Sequence, residues 1–384
     1  MNRDNEMQEE VSPKDRQWVV KPCVVDKVEH VAGNGLTLKG WVFQDTGSSA
    51  CDPLMRFSVN GNAPIAVEYP TPRPDVQNVF RHRPDAEMSG FAVTASCEFR
   101  NGVLEFRCVD SQTTSLDRGR ESWFYPDPKL HENLPDEDRR YRVIGNRDPI
   151  GFLGTGATDA FRIKAAYDNF REGSRGGVSR WMERLSSMFG REKWFGGGTV
   201  LDWGCGCGRV ARHLAPSLRS RFFGCDIDAD NVSWCAANLP GSYKASKLSP
   251  PLPYDDRSFD VIYGISVFTH LRANWEEIWL KELHRVLKPG GTILMTVHGQ
   301  TAIDFAALEP QILEVLMGRV DREGLVVSSD NDQLNGFVEF PSEYVNVFHS
   351  DKHIRNVWGR CFDNIKVLPG YIYTHDLVIA TKRP

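Results

Sequence analysis

The first third of the chain alternates between apolar and polar positions in short runs, and turn signals separate these runs. Examples are the segments "LTLKGWVF", "GFAVTASCEF" and "VLEFRCVD", together with turn residues such as "GNG" and "NGN". Alternation with a period of two is typical of strands that bury one face, and Asn-Gly pairs favour hairpin turns. Residues 20–112 are therefore predicted to form a small all-β sandwich of antiparallel strands.

The pattern changes after this region. Residues 113–148 are charged and contain prolines without sustained periodicity, and they are predicted to be a linker. Over residues 149–384 helical periods alternate with apolar runs of strand length, which favours an α/β domain with a mostly parallel sheet. Residues from about 300 to 350 are too many for an ordinary connection, so they are predicted to be an insertion that forms a lid or a substrate platform. A purely structural helix or a dimer contact is the alternative.

Composition limits the classes of partner. The chain has 384 residues, 41% of them hydrophobic, and its 46 Lys+Arg against 51 Asp+Glu give a net charge of -5. Without a long basic run this charge argues against a nucleic-acid partner, so a small-molecule substrate is expected. No stretch approaches the roughly 18 apolar residues of a membrane-spanning helix, and the polar N-terminal segment lacks the apolar core of a signal peptide. We expect a cytoplasmic protein with no membrane span.

The segment "VLDWGCGCGRVARHL" carries the most specific chemistry. An apolar strand runs into Asp202, three glycines follow at alternate positions, and an amphipathic helix begins after them. Such a turn brings the backbone close to a ligand, but a dinucleotide-binding turn has the spacing G-x-G-x-x-G. Here Gly204, Gly206 and Gly208 give G-x-G-x-G, and Arg209 stands where the third glycine would be.

Cysteines in the same region raise the alternative of a metal site. Cys205 and Cys207 lie within the turn, and Cys225 and Cys235 follow it. Structural zinc sites pair their cysteines as C-x₂₋₄-C, whereas this turn has C-x-C. Reduced thiols that fill a tight turn are the simpler interpretation, so no metal is expected.

Further motifs follow in a defined order. A second strand, "RFFGCDID", contains Asp226, and "LPYDDRSFDVI" places Asp260 at the start of a further strand. The segment "VLKPGGTILMTVHG" then runs through a turn into a strand that ends just before His298. Together with the glycine turn, over residues from about 198 to 300, these motifs resemble the class I S-adenosylmethionine-dependent methyltransferases. The tail "FDNIKVLPGYIYTHDLVIATKRP" is similar to the closing antiparallel strand pair of that fold.

The resemblance implies a Rossmann-like methyltransferase fold with a mostly parallel seven-stranded sheet, and S-adenosyl-L-methionine as the cofactor. It implies that Asp202 contacts the amino group of the cofactor and that Asp226 holds the ribose, while the glycines let the backbone approach the methionine part. The implied cofactor-binding residues are Asp202, Gly204, Gly206, Gly208, Asp226, Ile227 and Ser266. One departure concerns the adenine: "KASKLSPPLP" has no acidic residue before the Leu-Pro pair, so backbone around Lys247 and Leu248 is the alternative.

Candidate catalytic residues follow from the chemistry of a hydroxyl acceptor. Such an acceptor has to lose its proton, and a histidine is the natural base near neutral pH. Ligands of open α/β sheets bind beyond the carboxyl ends of the strands. His298 directly follows the fifth strand and His270 lies a few residues beyond the fourth, so both are predicted to be catalytic. His349 and His375 are alternatives from the later part of the chain.

The sequence leaves the acceptor open. The sandwich segments "LTLKGWVF", "RPDV" and "SGFAV" resemble β-sandwich modules of bacterial polysaccharide-biosynthesis enzymes, and this resemblance implies a sugar hydroxyl. The predicted function is therefore O-methyl transfer to a carbohydrate or another small metabolite. N-methylation of an amino-sugar or amine is one alternative, and binding of a cofactor or partner without turnover is another. The sandwich itself has the alternative role of forming a homo-oligomer or docking to another protein through its strand edges.

Overall fold

The computed structural model describes residues 23–31, 35–43, 55–81, 83, 85–100, 102–110, 122–173, 194–305, 310–330 and 344–383. Two antiparallel sheets form its N-terminal part. The first sheet has the order β1-β2-β5-β4, with strands β1 (Cys23–Val31), β2 (Gly35–Val42), β4 (Ala66–Thr71) and β5 (Gly90–Ser96). The second has the order β3-β6-β7, with strands β3 (Met55–Val59), β6 (Val103–Asp110) and β7 (Ser122–Pro126). A short helix, α1 (Pro74–Val79), lies between β4 and β5 in the chain.

The two sheets bury one shared core. Leu38 of β2 and Val93 of β5 belong to the same cluster as Leu104 and Phe106 of β6, and each of these side chains is fully buried. Side chains two positions apart on a strand point to the same face, which is why the alternating pattern of the sequence marks this core. The prediction of an antiparallel β region at the N-terminus is confirmed.

Part of the predicted linker belongs to the folded structure. Within residues 113–148, the segment Ser122–Pro126 forms β7 and pairs with β6. All five of its residues are buried. A strand of five residues between charged segments shows too few apolar positions for a periodic pattern to be recognised in the sequence. A helix, α2 (Glu137–Ile144), also lies inside the predicted linker. Residues 113–121 lie outside the described residues.

The C-terminal part contains a seven-stranded sheet with the order β10-β9-β8-β11-β12-β16-β15. Its strands are β8 (Val200–Trp203), β9 (Phe222–Asp226), β10 (Ser242–Ala245), β11 (Phe259–Gly264), β12 (Leu287–Val297), β15 (Asp363–Ile372) and β16 (His375–Thr381). The first five are parallel, and β16 pairs antiparallel with both β12 and β15. This topology confirms the predicted mostly parallel sheet and its closing antiparallel pair. Because the strand order reverses at β8, a crevice opens at the carboxyl ends of β8 and β11.

Helices cover both faces of this sheet. They are α3 (Pro149–Gly173), α4 (Ala211–Leu218), α5 (Ala229–Asn238), α6 (Ala273–Val286) and α9 (Asp351–Trp358). Neighbouring residues of a strand point to opposite faces, so Val200 shares a core with Leu214 of α4, whereas Leu201 shares the other core with Leu283 of α6. None of the described helices is long and apolar enough to cross a membrane.

The predicted insertion contributes two helices and two strands. They are α7 (Gln300–Asp304), α8 (Pro310–Glu323), β13 (Leu325–Asp330) and β14 (Val345–His349), and residues 306–309 and 331–343 lie outside the described residues. The backbone at Phe348 forms a bridge with His298, just past β12. After α7, Phe305 stacks on Phe43 of the N-terminal part with ring centroids 5.8 Å apart. The insertion therefore contacts both the carboxyl end of the parallel sheet and the N-terminal sheets.

Candidate cofactor and active site

A cleft of about 180 Å³ opens at the carboxyl ends of β8, β9 and β11. The predicted site residues that line it are Asp202, Gly204, Gly206, Asp226, Ile227, Ser266 and His270. Gly208 and His298 are not among the lining residues. The structure therefore brings most of the predicted cofactor-binding residues together with one of the two predicted catalytic histidines. Their contacts with a ligand stay predictions.

The glycine turn uses a left-handed backbone that residues with a side chain rarely adopt. The angle φ is +82° at Gly204, +50° at Gly206 and +78° at Gly208. The amide of Gly204 donates to the carbonyl of Cys225 at 2.8 Å, and that of Gly206 donates to the Asp226 carboxylate at 2.7 Å. Because these amides are used within the protein and the cleft wall is rich in aspartates, the turn does not offer a pyrophosphate site.

Gly208 serves packing and does not face the cleft. A Cβ atom at this position would lie 2.3 Å from Cδ1 of Leu239 and 3.1 Å from Sγ of Cys235. The space beside Gly208 is thus filled by side chains at the end of α5. The predicted contact between Gly208 and the cofactor stays a prediction, and the sequence pattern cannot tell which glycine faces a ligand and which faces a helix.

Buried thiols lie next to the glycine turn. The thiol of Cys235 lies 3.4 Å from the carbonyl oxygen of Gly206, and the thiol of Cys205 lies 3.7 Å from the same atom. A hydrogen bond with Cys235 and burial raise the pKa of Cys205, and burial raises the pKa of Cys225. The described residues contain no cluster of three or more His, Cys, Asp or Glu side chains that could hold a metal ion.

Asp202, near the end of β8, is buried with an incomplete set of hydrogen bonds. Its side chain lines the cleft and is 3% exposed, and its Oδ2 has no hydrogen-bond partner among the described residues. Burial raises the pKa of Asp202 to about 7, while the Tyr263 hydroxyl and the Arg209 charge act in the opposite direction. A buried oxygen of this kind costs free energy unless a ligand donates to it. This is the property that the predicted contact with an amino group requires.

Asp226 shapes the cleft as well as lining it. Its Oδ2 accepts a hydrogen bond from the Gly206 amide at 2.7 Å, and its Oδ1 accepts one from the Asp228 amide at 2.9 Å. Burial raises the pKa of Asp226 to about 6, against these amide hydrogen bonds, which favour the charged form. Each carboxylate oxygen can accept a second hydrogen bond, so capacity remains for a sugar hydroxyl. The sequence motif predicts the contact with the ribose, but it does not predict the hydrogen bond between Asp226 and the Gly206 amide of the glycine turn.

The helix α2 covers one side of the cleft, which the sequence did not predict. The guanidinium of Arg142 is buried, and it donates to Asp228 at 2.7 Å and to Asp230 at 2.7 Å. Next to it, Val143 lines the cleft above Gly206, where a Cβ atom would lie 2.7 Å from Cγ2 of Val143. The charged composition of this segment indicated exposure to solvent, and only the tertiary structure shows that an arginine here is paired and buried.

Another wall of the cleft contains Lys247, Leu248 and Trp279. The indole Nε1 of Trp279 donates to the carbonyl of Leu248 at 3.1 Å. Trp279 lies four residues after Trp275 on α6, a spacing typical of a packing stripe, so the sequence alone does not mark it as a site residue. Recognition of an adenine by backbone near Lys247 stays a prediction, and Trp279 fixes the backbone that would make this contact.

His270 lies in the cleft wall and is 7% exposed. Its Nδ1 donates to the carbonyl of Val345 at 2.8 Å, because a carbonyl can only accept. Its Nε2 lies 3.3 Å from Oγ of Ser266, and the ring of Tyr344 stacks on the imidazole with centroids 4.0 Å apart. Burial lowers the pKa of His270 to about 4, so the imidazole is neutral at pH 7 and Nε2 carries a lone pair. Tyr344 and Val345 belong to the insertion, and the sequence did not link them to this site.

The other histidines named from the sequence lie outside the cleft lining. The ring of His298 lies 6.2 Å from that of His270 and 4.7 Å from that of His375, measured between centroids. The carbonyl of His298 accepts a hydrogen bond from the amide of His349, at the end of β14. The Nε2 of His349 in turn lies 3.3 Å from a carboxylate oxygen of the buried Glu276. The insertion thus contacts the residue that follows β12, and His298 itself is half-buried. Its predicted catalytic role stays a prediction.

Known methyltransferases share sequence similarity with this region. Residues 201–295 match the family model described as "Methyltransferase domain". A fatty-acid O-methyltransferase of Mycolicibacterium smegmatis is 33% identical over 103 residues, which are 26% of this chain and 37% of that protein. The sterol 24-C-methyltransferase erg6 of Schizosaccharomyces pombe is 26% identical over 200 residues, which are 48% of this chain and 49% of that protein. The chain thus spans less than half the length of these relatives.

Solved structures also align with the chain. Magnesium protoporphyrin IX methyltransferase from Synechocystis with bound SAH aligns with a TM-score of 0.37 and 14% identity, over 64% of this chain and 93% of that one. An S-adenosylmethionine dependent methyltransferase from Mesorhizobium loti aligns with a TM-score of 0.33 and 14% identity, over 48% of this chain and 91% of that one. By its strand order and the family match, the C-terminal part has the Rossmann-like fold of class I methyltransferases, and S-adenosylmethionine is its cofactor.

The residues of the cleft fit this cofactor. Asp202 has a buried oxygen without a partner for the amino group, and Asp226 retains acceptor capacity for the ribose hydroxyls. Glycine is required at Gly204, where a Cβ atom would lie 2.4 Å from Cγ2 of Val267 in the cleft wall. Asp202 would therefore bind the amino group of the methionine part, and Asp226 would bind the hydroxyls of the ribose.

Proposed function

We propose that the chain transfers a methyl group from S-adenosylmethionine to an acceptor hydroxyl, with His270 as the general base. When bound, the cofactor supplies an electrophilic methyl group on a sulfonium centre. The protein then has to orient the acceptor and take up its proton. The observation that carries this proposal is the imidazole of His270, which lines the same cleft as the glycine turn and presents an unprotonated Nε2.

The contacts of His270 favour a proton acceptor at Nε2. Val345 fixes the proton on Nδ1, and the Tyr344 ring restricts the tilt of the imidazole. Oγ of Ser266 lies 3.3 Å from Nε2, which shows that a hydroxyl can come within hydrogen-bond distance of this nitrogen. With its pKa lowered to about 4, His270 is a weak base at neutral pH, so its proton uptake accompanies methyl transfer and does not precede it.

The acceptor class proposed from the sequence is a sugar hydroxyl. A lipid-like hydroxyl is a second candidate, because the wall near His270 is largely apolar and includes Ile265, Val267 and Leu271. Two of the relatives are named as a fatty-acid O-methyltransferase and a sterol 24-C-methyltransferase, so their names support a lipid-like acceptor, although neither name specifies a hydroxyl. Both candidates share the requirement for a base, so the same variants serve to test them.

The test uses methyl-labelled cofactor with two separate pools of acceptors, nucleotide-sugars and extracted lipids. The proposal expects label in an O-methyl product of one pool, and it expects His270→Gln to lower turnover roughly 10²- to 10⁴-fold with little change in cofactor affinity. His298→Gln is the matched control and should stay within about threefold of the wild type. With the cofactor kept saturating at every pH, turnover of the wild type should be level between pH 6 and 8 and fall as the pH drops toward about 4, where His270 gains a proton.

Other outcomes identify the alternatives. Label on nitrogen with an unimpaired His270→Gln variant would indicate an N-methyltransferase. Cofactor binding without label in either pool would favour a binding protein without turnover. Loss of turnover in His298→Gln, with His270→Gln unaffected, would exchange the roles of the two histidines.

A further inference from the structure

We propose that Glu276 is a positioning residue for His270, acting through the strand β14 of the insertion. The inference deepens the proposed function and rests on it. Val345 begins β14 and accepts a hydrogen bond from Nδ1 of His270 at 2.8 Å, while His349 ends the strand. A contact that fixes the far end of β14 therefore also fixes the backbone that orients His270.

The strand β14 lies outside the seven-stranded sheet. Among the described strands it pairs along its length with β13, in a separate two-stranded sheet. Its backbone joins the end of β12 through a bridge between Phe348 and His298, where the amide of His349 donates to the carbonyl of His298 at 2.8 Å. Side-chain contacts therefore have to set most of the position of β14 beside the cleft, and those of its last residue involve Glu276.

Glu276 lies in the first turn of α6 and is completely buried. A buried carboxylate is costly unless it is paired, so its partners are informative. Its Oε1 accepts a hydrogen bond from Nε1 of Trp358 at 2.7 Å, and its Oε2 lies 2.7 Å from Nε2 of His353. The Nε2 of His349 lies 3.3 Å from Oε1. One carboxylate thus joins α6 to the end of β14 and to both ends of α9.

The charge of Glu276 is a lasting feature of this cluster. Burial acts to raise the pKa of Glu276, but the contacts with His349 and His353 outweigh burial and lower the pKa to about 2. Among the described residues no lysine or arginine forms an ion pair with Glu276, so its partners are two imidazoles and an indole. The carboxylate is therefore ionised wherever the protein is folded near neutral pH, and it accepts from these donors.

Removal of this charge should reach His270. Without the Glu276 carboxylate the two imidazoles lose their acceptor, and the end of β14 can shift. Such a shift would withdraw Val345 and Tyr344 from the imidazole of His270 and admit water. The pKa of His270 would then rise from about 4 toward the ordinary 6.5, because burial, the main cause of the low value, outweighs the hydrogen bond with Val345.

The test measures the pKa of His270 by NMR titration of its imidazole in the full chain without ligand. Glu276→Gln keeps the shape of the side chain and removes its charge. We expect the pKa of His270 to rise by at least about one pH unit, and turnover with saturating cofactor to fall about 10-fold at pH 8. The affinity for S-adenosylhomocysteine should change by no more than about twofold, since Glu276 is not among the residues that line the cleft.

Two other glutamates of α6 serve as controls. Glu277 is exposed and pairs with Arg360 at 3.2 Å, so Glu277→Gln should leave the pKa of His270 and turnover unchanged. Glu282 is buried, but it pairs with Arg285 on its own helix at 2.6 Å. Glu282→Gln should therefore lower the free energy of unfolding and leave the pKa of His270 at its wild-type value.

A further variant tests the same link from the other side. His353→Phe keeps an aromatic ring next to Glu276 and removes the donor at Nε2. It should raise the pKa of His270 by a smaller amount than Glu276→Gln does, because Trp358 and His349 still contact the carboxylate. This variant replaces Glu276→Gln in the comparison if that protein does not fold.

The outcomes are distinguishable. An unchanged pKa of His270 in folded Glu276→Gln, or an equal rise in Glu282→Gln, would overturn the positioning role. If Glu276→Gln does not fold, an unchanged pKa in His353→Phe would overturn it. A rise confined to Glu276→Gln and His353→Phe supports it. A wild type that transfers no methyl group, with this rise still present, would overturn the proposed function and leave the link between Glu276 and His270 intact.

Discussion

At Asp202 the protein has buried a carboxyl group, and one of its oxygens has no hydrogen-bond partner in the part of the chain that the structure describes. A ligand that donates to that oxygen would recover the free energy lost in this way. A cationic ligand should also return the pKa of the carboxyl toward its ordinary range, because an adjacent positive charge favours the ionised form. The predicted contact with the cofactor would therefore link cofactor binding to the ionisation of Asp202.

This linkage predicts a pH dependence of cofactor affinity. With its pKa raised to about 7, Asp202 is largely protonated in the free protein below that pH and has to release its proton when the ammonium binds. The affinity should therefore fall as the pH is lowered from 8, by up to about tenfold per pH unit below pH 7. Calorimetry in buffers of different ionisation enthalpy should detect the released proton. Asp202→Asn should bind weakly with a flat profile, and an unchanged profile in that variant would remove Asp202 from the contact.

At the scale of elements, α2 closes the cleft through the ion pairs of Arg142. We expect Arg142→Gln to leave the buried carboxylate of Asp228 without its cation, which costs about 3–5 kcal/mol when a buried pair is broken. The loss should appear as faster hydrogen exchange over Glu137–Ile144 and as weaker cofactor binding, since Val143 then no longer covers Gly206. Arg147→Gln, in the loop that follows α2, is the exposed control. Slow exchange in Arg142→Gln would show that α2 is held by other contacts.

Elements whose chemistry is contiguous in the sequence could be predicted, and elements assembled from distant segments could not. The strand β8, the glycine turn and Asp226 follow one another within 30 positions, so their order carried the resemblance that implied their roles. Arg142, Trp279 and Tyr344 reach the cleft from three separate segments, and each has a local pattern typical of a surface or packing residue. Gly208 faces the end of α5, and the backbone of His298 contacts the insertion. Both contacts depend on which helix or strand packs beside the residue. Neighbouring elements in space are set by tertiary structure and leave no local signal.

For the whole molecule, aromatic contacts join the N-terminal sheets to the insertion. Phe305 stacks on Phe43, and the guanidinium of Arg83 lies over both rings. Because Phe305 is 8% exposed, Phe305→Ala should lower the free energy of unfolding by about 3–5 kcal/mol, as for other buried phenylalanines. Chemical denaturation measures this loss. Val315→Ala, at a side chain that is 63% exposed, should change stability by less than about 0.5 kcal/mol.

This contact also bears on the role of the N-terminal sheets. If they support the insertion, Phe305→Ala should raise the KM for the acceptor and leave the affinity for the cofactor unchanged, since the insertion supplies Tyr344 and Val345 to His270. Equal effects on both ligands would instead indicate a general loss of stability.

At Ser266 a strained backbone conformation lowers stability, while the side-chain hydroxyl lies next to the proposed base. Its φ of 59° lies in the left-handed region, and its amide is held there by the Thr296 hydroxyl at 2.7 Å. A serine in this conformation costs about 1 kcal/mol relative to glycine, and the protein tolerates the cost while Oγ stays beside Nε2 of His270. Ser266→Gly should therefore melt at a higher temperature and turn over more slowly, and a variant that lost both heat resistance and activity would contradict this. A change that raises thermostability would thus remove the hydroxyl next to the proposed base, so stability and turnover should change in opposite directions at this position.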